Sequence, residues 1–279
     1  MSTADRTPVP ERPEPKKFNA PLIAGAVVVI GVIVVLLFNA FAPRENLTVD
    51  ALEHPAVAAL DGGSAVYPAN SKLAFTEDVK FGYLPAPTLA ELGDGTVVAA
   101  DPKLAPELMG ATGGLDKLNR DTFSDLSIRS PREGNSAGEP ITWDETVDSF
   151  AGTTVLMPQI EPTELADKAL APIAEAKAEK STIVRTSNPE VAAAAKSAGI
   201  AAMFVGDFAS ASAEELKSQG YTMIAVDAAD VDTWLDSGLE VWATGVKSKE
   251  QLTELAKKDI FGALSTNPYA IQPSAVKTD

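Results

Sequence analysis

The chain has 279 residues, enough for one large domain or two small ones, and its 39 acidic against 23 basic side chains give a formal charge of -16. It has no cysteine and a single histidine, His54, which excludes disulfides, iron-sulfur centres, thiolate zinc sites, cysteine nucleophiles and histidine-rich metal sites. The acidic balance argues against nucleic acid as a partner, because a phosphate backbone rewards clustered Lys and Arg.

Residues 1–19 are charged, rich in proline and without apolar periodicity, and read as a disordered cytoplasmic tail. Ala20 to Phe38 then carries no charge, and Asn39 to Ala42 extends the stretch to Pro43. At about 1.5 Å per residue a helix over 20–42 matches a hydrocarbon layer of about 30 Å, so a single N-terminal transmembrane helix is expected. Arg6, Arg12, Lys16 and Lys17 precede it and only Arg44 follows closely. The positive-inside rule then places the N-terminus in the cytoplasm and the C-terminal domain outside the cell membrane. Ala40-Phe41-Ala42 resembles a signal-peptidase site, which leaves a cleaved signal as the alternative, although the apolar stretch is long for one. A linker over 43–50 would join this anchor to an extracytoplasmic domain over 51–279.

Short apolar runs recur at Val57 to Leu60, Thr154 to Met157, Thr182 to Val184, Ala202 to Val205, Thr222 to Val226, Glu240 to Ala243 and Phe261 to Leu264, with a weaker one at Phe81 to Leu84. Gly93-Asp94-Gly95 before Thr96 to Ala99 predicts a hairpin, and Ser127 to Gly138 an exposed loop. The region from Leu89 to Glu139 reads as an insertion capping one face. Thr163 to Lys180 predicts a helix with an irregularity at Pro172. Asn188-Pro189 starts another, and Ser212-x-x-Glu215 and Ser248-x-x-Gln251 are capping boxes for two more. Helices between regularly spaced strands imply an α/β domain with parallel pairing, and the count predicts a closed (β/α)8 TIM barrel, with a doubly wound open sheet as the rival.

Several motifs resemble the glycerophosphodiester phosphodiesterase family. That family opens with a strand ending His-Arg-Gly and a Pro-Glu-Asn-Thr turn; the matching positions here are Leu60-Asp61-Gly62 and Pro68-Ala69-Asn70-Ser71. Its metal-binding Glu and Asp would fall near Ala86 and Thr88, its second catalytic histidine on Ala100, and its later Glu-Ile-Lys on Gln159-Ile160-Glu161. Asp101 and Thr112-Gly113-Gly114 are retained, Glu139 to Glu145 resembles the family's third helix entry, and Gly238 to Gly245 and Phe261 to Pro268 resemble its closing strands.

The resemblance implies a barrel, and the departures from it imply a degenerate, noncatalytic member without catalytic residues, metal or cofactor. Family enzymes use two histidines for proton transfer and carboxylates to hold a divalent ion. Leu60, Ala100, Ala86, Thr88 and Gln159 supply neither, and Asp61 puts negative charge where the family has arginine. His54 is expected in the approach to the domain, Asp101 in a turn before Pro102, and Trp242 in packing beneath the site. Gly110 to Gly114 lacks the Lys-Ser or Lys-Thr of a nucleotide loop. Glu139, Asp144, Glu145, Asp148 and Glu161 read as acidic surface. The expected function is an accessory or scaffold subunit of an integral membrane protein complex. A module binding a lipid or small envelope component in the emptied pocket, and a divergent hydrolase, are the alternatives.

Overall fold

The computed structural model describes residues 46–208 and 211–272. Its strands are β1 (Ala56–Leu60), β2 (Leu84–Ala86), β3 (Leu89–Glu91), β4 (Val97–Ala99), β5 (Ile183–Thr186), β6 (Ala201–Phe204), β7 (Met223–Asp227), β8 (Glu240–Thr244) and β9 (Gly262–Ser265). β3 and β4 form the expected antiparallel hairpin, Leu89 facing Ala99. The other seven pair in parallel in the order β2-β1-β9-β8-β7-β6-β5. Most of the crossovers carry helices: Lys72–Phe81 between β1 and β2, Pro189–Ser197 between β5 and β6, Ala213–Gln219 between β6 and β7, and Lys249–Ala256 between β8 and β9.

The helix starts follow from local chemistry. Ser71, Thr142, Asn188, Ser212 and Ser248 each place a side-chain oxygen on a backbone N–H of the first turn that follows, a cap worth typically about 1 kcal/mol. Alternation along each strand divides the core into two layers. Val57, Ala59, Val184, Ala202, Ile224 and Val241 face the helices, while Ala58, Leu84, Ile183, Met203, Met223 and Trp242 fill the concave side. Gly262 on β9 permits the second layer to close, since a Cβ there would lie 2.5 Å from both the Ala56 carbonyl oxygen and the Trp242 ring. The insertion after β3 has its own small core of Leu92, Val98, Met109, Leu115, Phe123 and Ile128.

The closed eight-stranded barrel is corrected by this topology. The regular sheet is curled but open, with β2 and β5 as its edge strands. The expected strand at Thr154 to Met157 is instead an irregular segment that touches both edges through isolated bridges, Leu156 to Thr182, Thr88 to Gln159 and Gln159 to Arg185. Proline is the reason. A continuous parallel ladder alternates donors along both partners, and Pro158 in the segment, Pro85 in β2 and Pro87 just after it have no N–H to give.

The membrane anchor finds no support in the structure. No helix among the described residues is long and apolar enough to cross a membrane, and the span expected over 20–42 lies outside them. The single-pass cell-membrane placement and the integral membrane complex as partner rested on that span alone, and neither is carried further.

One helix position breaks the apolar pattern. Asp78, on Lys72–Phe81, is 0% exposed, and neither of its carboxylate oxygens has a hydrogen-bond partner. Burial, followed by the neighbouring charge of Glu77, holds its pKa well above the ordinary carboxylate range. A group that binds its proton more tightly folded than unfolded stabilises the fold fully below its unfolded pKa of about 3.9, and that stability is lost as pH rises toward the folded value. Asp78→Asn removes the dependence. Denaturant unfolding of both proteins should show the variant more stable at pH 7, with a gap that widens from about pH 4 upward by at most about 1.4 kcal/mol per pH unit. A gap that stays constant with pH would mean that Asp78 is not held protonated by the fold.

Candidate functional site

The carboxyl ends of β1 and β2 meet at Leu60, which faces Ala86. The chain then turns sharply at Asp61, whose φ is 50°. Its N–H donates to the Ala86 carbonyl at 2.9 Å and its own carbonyl accepts from the Asn70 N–H at 2.8 Å, so the turn is tied to both the neighbouring strand and the next helix entry. Asp61 Oδ1 gathers three donors: Asn70 Nδ2 at 3.0 Å, Thr88 Oγ1 at 2.8 Å and the Thr88 N–H at 3.2 Å. Ala100 joins them through its N–H to the Thr88 carbonyl, 2.9 Å, and Gln159 through its bridge to Thr88. The matched positions Leu60, Asp61, Ala86, Thr88, Ala100 and Gln159 are thus brought together at one end of the sheet.

Arg185, on edge strand β5, lies beneath this end and is 3% exposed. Its Nε donates to the Met157 carbonyl at 2.8 Å, and one terminal nitrogen donates to the carbonyls of Ala86 and Pro87 at 2.8 and 3.0 Å. Burial pushes its pKa down to about 10, against the opposing pull of Asp61 and then Glu161. Nothing in the motif pattern singles out this residue. The only signal is a charge that ends the apolar run Thr182 to Val184 one residue before its strand does.

A cleft of about 730 Å³ opens above these residues between the β3 hairpin and the start of helix Thr163–Glu175. Leu89, Ala90, Pro102, Leu115, Pro162 and Leu165 give it apolar walls, and Thr88, Asp101, Gln159, Glu161 and Glu164 give it polar groups. Glu161, expected on the acidic surface, is part of this wall. It accepts from Gln159 Nε2 at 2.9 Å and from Ser187 Oγ at 2.6 Å. A second cavity of about 610 Å³ lies at the amino ends of β6, β7 and β8, beside Ala201, Met223 and Glu240. Ligands of parallel α/β sheets bind at the carboxyl ends, where loops rather than strand starts supply the groups, and this favours the first.

Other expected residues lie elsewhere. His54 is exposed before β1, its ring 4.1 Å from that of Phe261, at the opposite end of that strand from Leu60. Trp242 is fully buried on the concave side against Phe261. Asp101 has the expected turn role, accepting from the Lys103 N–H at 2.8 Å, and also lines the cleft. Asp144 and Glu145 both pair with Arg120, at 2.9 and 3.0 Å. Glu139 and Asp148 line a separate shallow depression. At the matched metal positions a divalent ion meets no carboxylate: Ala86 offers a methyl group, Thr88 a hydroxyl that donates to Asp61, and Gln159 only a neutral amide oxygen. Among the described residues no group of three or more carboxylates or imidazoles could hold a metal.

No protein-family model matches the sequence, and no curated protein matches it. Solved structures do share the fold. A glycerophosphodiester phosphodiesterase from Agrobacterium tumefaciens superposes with a TM-score of 0.67 at 14% identity, over 78% of this chain and 98% of that one. One from Parabacteroides distasonis gives 0.65 at 15% identity, over 82% and 91%. A phosphodiesterase from Oleispira antarctica, solved with its product sn-glycerol-3-phosphate, gives 0.64 at 19% identity, over 78% and 96%. The fold therefore resembles that of the glycerophosphodiester phosphodiesterases, at low identity.

The geometry makes Arg185 a structural staple whose planar fork spans three carbonyls. Arg185→Lys keeps the charge but offers one compact donor centre, which cannot reach Met157 and Ala86 together. Hydrogen bonds from charged groups contribute about 1.5–3 kcal/mol each, so unfolding should show a loss of roughly 2 kcal/mol or more. An unchanged midpoint would mean that the fork carries no stability.

Proposed function

We propose that this chain is a noncatalytic ligand-binding module, in which the cleft at the carboxyl ends of β1 and β2 holds an uncharged, hydroxyl-rich headgroup of a lipid or envelope glycan. The observation that carries the reading is the lining of the 730 Å³ cleft. Leucine and proline walls suit the apolar faces of a sugar or polyol, and Asp101, Glu161 and Glu164 can accept from its hydroxyls, while Gln159 and Lys103 add donors to the same lining. The Oleispira antarctica phosphodiesterase holds sn-glycerol-3-phosphate, a polyol that carries a phosphate, and only the polyol part of such a ligand suits the lining here.

Loss of catalysis is the second half of the reading. Phosphodiester cleavage by the chemistry of the resembling family needs a positioned proton donor and acceptor and a divalent ion. At the matched positions stand Leu60, Ala100, Ala86, Thr88 and Gln159, and the chain's one histidine is at the other end of β1. Acid-base groups contribute typically 10²- to 10⁴-fold each, so the absence of both would leave little rate.

Two measurements on the purified protein test the two halves. Incubation with a glycerophosphodiester and magnesium, calcium or zinc should release no alcohol above the buffer rate. Saturation-transfer NMR with a panel of neutral mono- and disaccharides should give contacts that Leu165→Trp, which fills the cleft, abolishes. Metal-dependent turnover that a cleft substitution removes would overturn the noncatalytic reading, and contacts indifferent to Leu165→Trp would overturn the assignment of the cleft.

A further inference from the structure

The three donors that converge on Asp61 Oδ1 form an arrangement that recognises an oxyanion: a backbone N–H and a hydroxyl from Thr88 and an amide N–H from Asn70, at 3.2, 2.8 and 3.0 Å. The buried guanidinium of Arg185 adds positive charge from below, where it interacts with Asp61 through space. Preorganised donors with a cation behind them are the parts from which anion sites are built. We propose that the Asp61 carboxylate is the resident anion of such a site, supplied by the chain itself, and that its presence closes this end of the cleft to phosphate.

The backbone is compatible with this role. Asp61 sits at φ 50°, followed by Gly62 and Gly63 at 76° and 68°, a left-handed turn in which Asp and Asn are the side chains best tolerated beside glycine. Of these residues only Asp both fills the three-donor position and balances Arg185. A second small cavity, lined by Asp61, Ala69, Asn70, Ala100 and Asp101, adjoins the position, and Asp101 also belongs to the large cleft. Removing the Asp61 side chain would join donors, cavity and uncompensated Arg185 into an open oxyanion receptor.

This inference deepens the ligand-site reading and rests on it for its biological sense, because it explains why the ligand would be uncharged. Isothermal titration and ³¹P NMR with inorganic phosphate test it directly. Wild type should show no uptake, and Asp61→Gly should bind phosphate at least tenfold more tightly. Asp61→Ser, which vacates the same position with a Cβ retained, should do likewise should the glycine variant fail to fold. Asp61→Asn removes the charge but keeps the position filled, and should resemble wild type. Adding Thr88→Val to Asp61→Gly removes one donor and should reverse most of the gain. The proposal fails if neither folded, shortened variant takes up phosphate, or if Asp61→Asn takes it up equally well, which would reduce the effect to net charge. Phosphate uptake by Asp61→Gly with no sugar contact in wild type would sink the ligand reading while leaving this one standing. Sugar contacts in wild type with no uptake by the variants would do the opposite.

Discussion

The guanidinium of Arg185 holds together the place where the sheet cannot hold itself. Along β2 and the irregular segment opposite it, the Met157 N–H reaches the Pro85 carbonyl and the Gln159 N–H reaches the Pro87 carbonyl, at 2.9 and 2.8 Å. The return bond, from residue 87 to the Met157 carbonyl, is impossible because residue 87 is proline. Arg185 Nε supplies the missing donor at 2.8 Å. A buried, unpaired carbonyl costs about 1–3 kcal/mol, so one side chain from the far edge strand replaces what the backbone lacks.

That staple also fixes the site. Its terminal nitrogen grips Ala86 and Pro87, the two residues immediately before Thr88, and so sets where Thr88 presents its N–H and hydroxyl. Thr88 in turn meets Asp61, and Asp61 meets Asn70, which leads into the helix capped by Ser71. A continuous run of directed bonds therefore links edge strand β5 to the first helix across the seam. The irregular backbone that keeps the sheet from closing regularly is the same backbone that lines the cleft, as expected where loops rather than strands carry ligand groups.

The alternation of strands and helices from β5 onward was legible because capping residues mark the helix starts: Asn188, Ser212 and Ser248 each accept from an N–H of the first turn, although Glu215 and Gln251, the partners expected in capping boxes, bond to Gln219 and Lys247 instead. The hairpin after Glu91 was legible from Gly93-Asp94-Gly95. Closure of the sheet was not. An apolar run at Thr154 to Met157 has the composition of a strand, and only the relation of Pro158 to prolines some seventy residues earlier, unseen in any local window, shows that it cannot pair regularly. The matched positions Leu60, Ala86, Thr88, Ala100 and Gln159 converge because their spacing encoded a fold, whereas Arg185 and the cleft-facing place of Glu161 were hidden. Each reads locally as the polar end of an apolar run. Asp78 was hidden in a similar way, since an acidic residue between Glu77 and Lys80 looks like part of a solvated helix face until the residues packed over it are known.

The charges around the seam behave as one unit. Arg185 touches no carboxylate, and its hydrogen bonds all go to neutral carbonyls. A cation this deep is costly unless opposite charge lies within reach, and the groups that pull against its desolvation are Asp61 and Glu161, the second lining the cleft and the first the small cavity beside it. The acidic cleft is therefore part of what makes the buried staple tolerable, and not only a surface offered to a ligand. A phosphate ligand would have to displace Asp61 or add a second anion beside it, and a cation would compete with Arg185 for the same two carboxylates. An uncharged ligand that bonds through hydroxyls disturbs neither balance, and the electrostatics that stabilise the seam thus also constrain what the cleft can accept.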